Sequence, residues 1–162
     1  MKLRKTLMVA LLALMTPMFL FAKKSKLATL SFGDIVLEPE DSLMFVCDEL
    51  PDEIGGYEVM SEYLPSGVEV VWTGKKFKLP KAGKVKYSKK EGDFITTNDE
   101  NPCGVKISIN KKTGKIKGSF KVYVMKSETK VKSYTAKVTG YVGAEEIYVT
   151  IKKVGTFVGM LD

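Results

Sequence analysis

The sequence contains no histidine, a single arginine and two cysteines, and each scarcity removes a class of chemistry. Without histidine there is no Ser-His or Cys-His nucleophilic pair, no histidine-ligated zinc and no imidazole to carry protons near neutral pH. Two cysteines are too few for a four-cysteine zinc site. The arginine, Arg4, stands near the N-terminus, so lysine supplies every later positive side chain. Because readout of nucleic acid relies on the bidentate guanidinium, we expect no nucleic-acid partner.

Residues 1–22 have the composition of a secretory signal peptide. Their first five residues include three cations, and Leu7–Phe21 is almost wholly apolar. This run is short for a membrane span, and Ala22 suits a cleavage site. An uncleaved signal anchor is the alternative. We therefore expect residues 23–162 to be exported to the periplasm, the cell surface or the medium, without a stable membrane span after cleavage.

Charge is divided unevenly along the remaining chain. Residues 34–69 contain 11 acids and no lysine, whereas residues 70–162 contain 20 lysines and 8 acids. The two parts could pack together and neutralise each other within one all-β domain, or they could leave a lysine-rich face for an anionic partner. Opposite charge alone affects association rate and salt sensitivity rather than fold.

Short runs rich in Val, Ile, Tyr, Phe and Thr, separated by turn residues, indicate β-strands almost throughout. The clearest alternation of apolar and polar residues begins at Val105 and recurs in Ile116–Val124 and Ile147–Ile151. Such alternation places one face of each strand against a core. No segment shows a capped helical period. We predict an all-β fold, an antiparallel sandwich or barrel that ends in a C-terminal β-meander of about five strands.

Cys47 and Cys103 are the only thiols, and in an exported chain such a pair is a candidate disulfide. Two separate free thiols are the alternative. A catalytic thiol is not expected, because no histidine is present to activate it.

The segment Asp48–Glu53 holds four carboxylates. Oxygen ligands grouped in this way can bind Ca²⁺, but the spacing matches no EF-hand and Pro51 interrupts it. Paired carboxylates also hydrolyse glycosides, so a small carboxylate-dependent hydrolase is an alternative function, as is a secreted enzyme inhibitor. We predict a solvated acidic loop, and a protein with no catalytic residue, metal ion or cofactor.

Lysines and tyrosines on the polar phase of the strands are the candidate ligand residues. Lysine on a sheet also keeps strand edges from pairing with other chains, so an ordinary solvated face is the alternative. Tyrosine rings that face solvent could stack on sugars. The predicted ligand face comprises Lys106, Lys115, Lys117, Lys121, Tyr123 and Tyr148.

The stretch Asn101–Tyr123 resembles a C-terminal module of exported bacterial proteins, most of which have no assigned function. The module repeats a Thr-Gly-x-Phe/Ile-x-Gly-Ser-Phe core, matched here by Thr113–Phe120, and continues with a strand ending in Val-x-Gly, matched by Val138–Gly140. The resemblance extends over Val68–Asp162. It implies an exported β-sheet module and transfers no catalytic or ligand residue. Cys103 departs from the small polar residue more usual at its position.

These observations together favour an exported, non-catalytic β-domain with an envelope-structural or interaction role. An anionic glycan or another component of the cell envelope is the expected partner. The main alternative is a dedicated glycan- or polyanion-binding module that uses the lysine and tyrosine face.

Overall fold

The computed structural model describes residues 27–162. The signal peptide predicted for residues 1–22 lies outside the described residues. The structure in this range is built from β-strands, with one short 3₁₀ turn at Ser61–Tyr63. Across residues 27–162 we find no helix that is long and apolar enough to cross a membrane.

The strands are short in the first half of the chain, and the two longest lie in the second half. Strand β13 has the limits that the apolar alternation predicts, and β11 begins within one residue of its predicted start at Ile116. In chain order they are β1 (Leu30–Phe32), β2 (Ile35–Leu37), β3 (Ser42–Val46), β4 (Glu53–Ile54), β5 (Tyr57–Val59), β6 (Ser66–Trp72), β7 (Phe77–Lys78), β8 (Val85–Ser88), β9 (Asp93–Thr96), β10 (Lys106–Ile109), β11 (Lys115–Ser127), β12 (Lys130–Tyr141), β13 (Ile147–Ile151) and β14 (Gly155–Leu161).

Ten of these strands form one antiparallel sheet in the order β4-β5-β11-β12-β13-β14-β3-β6-β7, with β10 also paired to β11. The hairpins β1–β2 and β8–β9 form two separate two-stranded sheets. Strands β10 to β14 are neighbours in both sequence and space. The predicted all-β fold with a C-terminal five-stranded meander is therefore confirmed.

Strand β11 organises the sheet because it is paired along both of its edges. One edge pairs with β12 over nearly the whole strand. The other edge pairs first with β10, where Ile107 lies opposite Gly118, and then with β5, where Val59 lies opposite Val124. The N-terminal half of the chain and the meander are thus joined at β11.

The apolar faces of the strands line the concave side of a strongly curled sheet. Phe45 on β3 and Phe120 on β11 are both buried, and their ring centroids are 5.7 Å apart. Because three strands separate β11 from β3 in the sheet, the two rings meet only if the sheet curls over its own core. The buried side chains form one continuous cluster that runs from Phe32 to Leu161.

Trp72 helps to fix the segment that precedes β1. Its ring is buried against Phe77, with centroids 5.0 Å apart, and its indole N–H donates to the carbonyl oxygen of Ala28 at 2.6 Å. A buried indole N–H needs such a partner. The start of the described chain is therefore held beside β6.

The acidic and lysine-rich parts of the chain occupy different regions of this one sheet. From residues 34–69 come β4 and β5 at one end of the strand order and β3 and β6 near the other. The lysine-rich meander lies between them. The acids of residues 34–69 therefore lie toward the two ends of the sheet, and the meander lysines lie on the strands between them.

Candidate functional site

The five strands of the meander contain eight lysines and neither aspartate nor glutamate. In this part of the chain the acids are confined to the connections between strands and to the C-terminal residue. Those acids are Glu128, Glu145, Glu146 and Asp162. A surface formed by these strands is therefore positively charged without internal compensation.

The four predicted ligand lysines lie on the convex face of the meander and are all exposed. They face hydroxyl side chains across the strands. Lys117 lies between Ser108 on β10 and Thr139 on β12. The ammonium group of Lys121 donates to the hydroxyl oxygen of Thr135 at 2.7 Å. The remaining two lysines are Lys106, opposite Ser119, and Lys115, opposite Tyr141.

A groove of about 530 Å³ opens on this face, between the meander and the segment that leads into β8. Three lysines, Lys84, Lys106 and Lys121, line it together with the hydroxyl-bearing residues Tyr123 and Ser133. No carboxylate is among its lining residues in the described part of the chain. The groove combines ammonium groups with hydroxyl groups, which is a donor-rich surface for an anion.

Tyr123 lies on the predicted face, but the prediction that it is exposed is wrong. Only 7% of its surface is accessible. Gly83 and Val85, from the segment that begins β8, line the same groove as Tyr123, so a second layer lies on this side of β11. Alternation along one strand predicts the side of the sheet on which a side chain lies. It does not predict whether a second layer of the protein packs against that side. Tyr123 therefore forms the floor of the groove.

Tyr148 is exposed as predicted, with 49% of its surface accessible. It lies opposite Thr139 on β12 and Val158 on β14, and Thr139 separates it from Lys117. Tyr148 thus shares the convex face with the lysines but lies outside the groove.

Asn101 joins the two walls of the groove and is fully buried. Its amide nitrogen donates to the carbonyl oxygens of Pro80 at 3.1 Å and Val105 at 3.0 Å. Its amide oxygen accepts from the N–H of Val105 at 2.7 Å. The backbone N–H of Gly83 donates to the Asn101 carbonyl oxygen at 2.8 Å. Asn101 therefore holds the segment before β8 against the start of β10, where Lys84 and Lys106 project.

The predicted Cys47–Cys103 disulfide is not formed, and both cysteines are free, buried thiols. Burial raises the pKa of each thiol to about 12; Asp48 adds to the effect at Cys47, and Cys47 adds to it at Cys103. The thiolate is the species that forms and exchanges disulfides, so burial suppresses the reactive form. The presence of two cysteines in the sequence does not reveal this burial.

The acidic segment forms a second groove of about 400 Å³ at the β4–β5 end of the sheet. Its carboxylates are exposed, and within residues 27–162 no group of three or more acidic or cysteine side chains is arranged to hold a metal ion. The calcium alternative therefore has no support from the described residues. The carboxylates that line this groove are Asp48, Asp52, Glu53 and Glu58.

Four residues outside the predicted ligand set contribute to the groove or to the convex face beside it: Lys84, Asn101, Ser119 and Lys137. Lys84 and Asn101 belong to the groove through tertiary packing, which has no local sequence signal. Ser119 and Lys137 lie opposite each other on β11 and β12. Alternation within each strand is the signal that could have identified them, since Ser119 shares the phase of Lys117 and Lys121, and Lys137 shares that of Thr135 and Thr139.

Comparison with known proteins identifies no relative of this chain. No family model matches the sequence, and neither the curated proteins nor the solved structures contain a match.

Proposed function

We propose that this protein is an exported, non-catalytic β-domain that binds an anionic polymer, such as an acidic glycan of the cell envelope, through the convex face of its meander. The observation that carries the proposal is the absence of any acid in strands β10 to β14, which hold eight lysines. Five of them are on the convex side: Lys106, Lys115, Lys117, Lys121 and Lys137. A surface that serves only solubility usually mixes both signs of charge.

The position of these lysines argues against a role in protecting strand edges. Lysine blunts an edge strand by opposing the approach of another chain. Lys117, Lys121 and Lys137 lie on β11 and β12, which have partners on both sides. These three lysines therefore do not protect a strand edge, and their charge is presented on the face of the sheet.

The chemistry of the face suits a repeating polyanion. Lysine presents a compact charge on a flexible stem and adapts to anionic groups at varied positions. The neighbouring serine and threonine hydroxyls add hydrogen bonds. Tyr148 offers an exposed ring for a sugar on the same face, and the groove above Tyr123 accepts a side group of the polymer. Binding of this kind weakens as salt screens the charges.

The test is retention of residues 23–162 on immobilised heparin, polygalacturonate and neutral dextran over a salt gradient. We expect retention on at least one polyanion and none on dextran. The variant Lys106→Gln/Lys117→Gln/Lys121→Gln should bind about tenfold more weakly at fixed salt. The matched control removes the same charge from turn residues and should bind within about twofold of the wild type. This control is Lys89→Gln/Lys90→Gln/Lys153→Gln.

Two outcomes contradict the proposal. Elution of the wild type with the dextran fraction would exclude polyanion binding. Equal losses in the two triple variants would show that net charge, rather than the face, governs retention.

Export is tested separately, because it depends on residues 1–22 alone. The mass of the protein recovered from the periplasm or the medium should correspond to a chain that begins near residue 23. Recovery of the full-length chain with the inner membrane would support the signal anchor instead.

A further inference from the structure

Ser119 lies at the centre of four lysines on the convex face. On β11, Lys117 and Lys121 are the next residues on the same side of the strand. Across the sheet, Ser119 lies directly opposite Lys106 of β10 on one side and Lys137 of β12 on the other. All four lysines are exposed, and Ser119 is half-buried between them.

The spacing of a β-sheet brings these four side chains within reach of one small anion. Neighbouring strands are about 5 Å apart, and residues two apart on a strand are separated by about 7 Å. Each lysine side chain is long and flexible enough to lean over the serine between them. Lys121 already leans toward β12, since its ammonium group bonds to Thr135.

The residues on either side of Ser119 hold this arrangement in place. A Cβ atom on Gly118 would collide with the carbonyl oxygen of Lys106, so glycine lets β10 approach β11 closely. Phe120 is anchored in the core against Phe45. The Gly-Ser-Phe sequence thus sets the register that places Lys106 opposite Ser119 and keeps Ser119 pointing outward.

No carboxylate compensates these four lysines within the strand pairings. The partners recorded across from them are Ser108, Ser119, Thr135, Thr139 and Thr150. Like charges gathered in this way oppose one another, and a bound anion would relieve that repulsion. A multiply charged anion would relieve more of it than a singly charged one.

We propose that Ser119, Lys106, Lys117, Lys121 and Lys137 form a subsite for one tetrahedral oxyanion, a phosphate or sulfate group, on the polymer. The inference rests on the proposed function and specifies its ligand chemistry. Such a group presents more acceptor oxygens than a carboxylate, and a phosphate monoester also carries more charge. Four ammonium groups and a hydroxyl supply donors for those oxygens, with lysine acting as a point charge.

The experiment measures affinity at one fixed salt concentration for three polymers: heparin, which is sulfated, inorganic polyphosphate, and polygalacturonate, which carries only carboxylates. The double variant Lys117→Gln/Lys137→Gln changes two subsite lysines that do not line the groove. We expect it to lose about fivefold in affinity for heparin, polyphosphate or both. Polygalacturonate binding should fall no further than in the control Lys89→Gln/Lys90→Gln.

Ser119→Ala gives a second measurement that leaves the net charge unchanged. We expect a loss of about threefold in affinity for the same tetrahedral ligand, because one hydrogen bond is removed. Near-UV circular dichroism identical to that of the wild type would show that the variants are folded. Loss for heparin alone would assign the group to sulfate, and loss for polyphosphate alone would assign it to phosphate.

The failures of the two proposals are distinguishable. If the wild type binds polyanions but the subsite variants match the control, or if they lose equal affinity for all three polymers, the tetrahedral-anion subsite is wrong and polyanion binding stands. If the wild type binds none of the three polymers, both proposals are wrong.

Discussion

The ring of Phe45 on β3 meets the ring of Phe120 on β11 edge to face, with centroids 5.7 Å apart and an angle of 63° between the planes. Their strands are separated in the sheet by β12, β13 and β14. The contact therefore joins the two sides of the curl and stabilises the concave core. Because successive side chains alternate across a strand, burying Phe120 also turns Ser119 and Lys121 toward solvent. The core contact of Phe120 and the solvent-facing Ser119 and Lys121 therefore lie on opposite sides of the same strand, β11.

Phe120→Ala should destabilise the protein strongly. Removing a buried phenyl ring loses its transfer free energy and leaves a cavity, which together cost about 3–5 kcal/mol. The free energy of unfolding, measured by denaturant titration, checks this value. Phe120→Leu keeps most of the volume and should lose less. Val158→Ala, at an exposed position, should stay within about 0.5 kcal/mol of the wild type, and an equal loss there would contradict the role given to Phe120.

Gly118→Ala should weaken the pairing of β10 with β11. The added methyl group meets the Lys106 carbonyl oxygen and Ile107, so β10 must shift, at a cost of about 1–3 kcal/mol. Hydrogen exchange should increase in β10 more than in β13. Ser119→Ala is the matched neighbour and should change stability by less than about 0.5 kcal/mol. Unchanged exchange in the Gly118 variant would mean that close approach is not required.

Asn101→Ala should lower stability by about 3 kcal/mol, because it leaves the buried backbone groups of Val105 and the partly buried carbonyl of Pro80 without their partners. The loss is measured by thermal or denaturant unfolding. Asn101→Asp keeps the acceptor for the Val105 N–H but removes both donors and buries a charge, so it should be at least as unstable at neutral pH and recover partly in acid. Asn98→Ala, which removes two exposed bonds, to the Lys81 carbonyl oxygen and from the Glu100 N–H, should cost about 1 kcal/mol. Equal stability of the Ala variants at 98 and 101 would contradict this account.

The two buried thiols make stability dependent on pH in the alkaline range. Their pKa rises from 9.0 to about 12 on folding, so the native state keeps protons that the unfolded chain releases. Their contribution is complete below pH 9 and is lost as the pH rises toward 12. The free energy of unfolding should therefore fall across that interval, and Cys47→Ala/Cys103→Ala should flatten the fall.

Alkylation gives an independent check on the same thiols. The native protein near neutral pH should resist iodoacetamide, and the denatured protein should gain two adducts by mass spectrometry without reductant. Failure of the denatured, unreduced protein to react would show a disulfide and contradict the free-thiol assignment.

The positions of most strands could be predicted from local patterns in the sequence. β2 and β13 have the limits that the run of β-branched residues indicates, Ile35–Leu37 and Ile147–Ile151. β11 extends beyond its predicted limit at Val124 to Ser127, because pairing with β12 continues to the turn. Pairing between distant segments is a property of the whole sheet, so no window of sequence indicates that β5 joins β11 or that β3 joins β14.

The candidate site shows the same division between local and distant information. Alternation placed Lys106, Lys115, Lys117 and Lys121 on one exposed face, since each strand's phase is a local property. Tyr123 obeyed the same phase and is nevertheless buried, because the segment entering β8 covers it. The missed residue Asn101 became important only when folding brought Pro80 and Val105 to its amide group.

By itself the sequence determined most of the secondary structure, the side of the sheet on which Lys106, Lys115, Lys117 and Lys121 lie, and the absence of acids among the meander lysines. These properties depend on residue identity and on the period of two along a strand. Only the tertiary structure decided that Cys47 and Cys103 are buried as free thiols, that Tyr123 is the floor of a groove, and that β10 and β12 bring Lys106 and Lys137 to either side of Ser119. The first two depend on which distant segments pack together around the core of Phe45 and Phe120. The third depends on the bulge between Met125 and Ser127, which shifts the β11–β12 register by one residue.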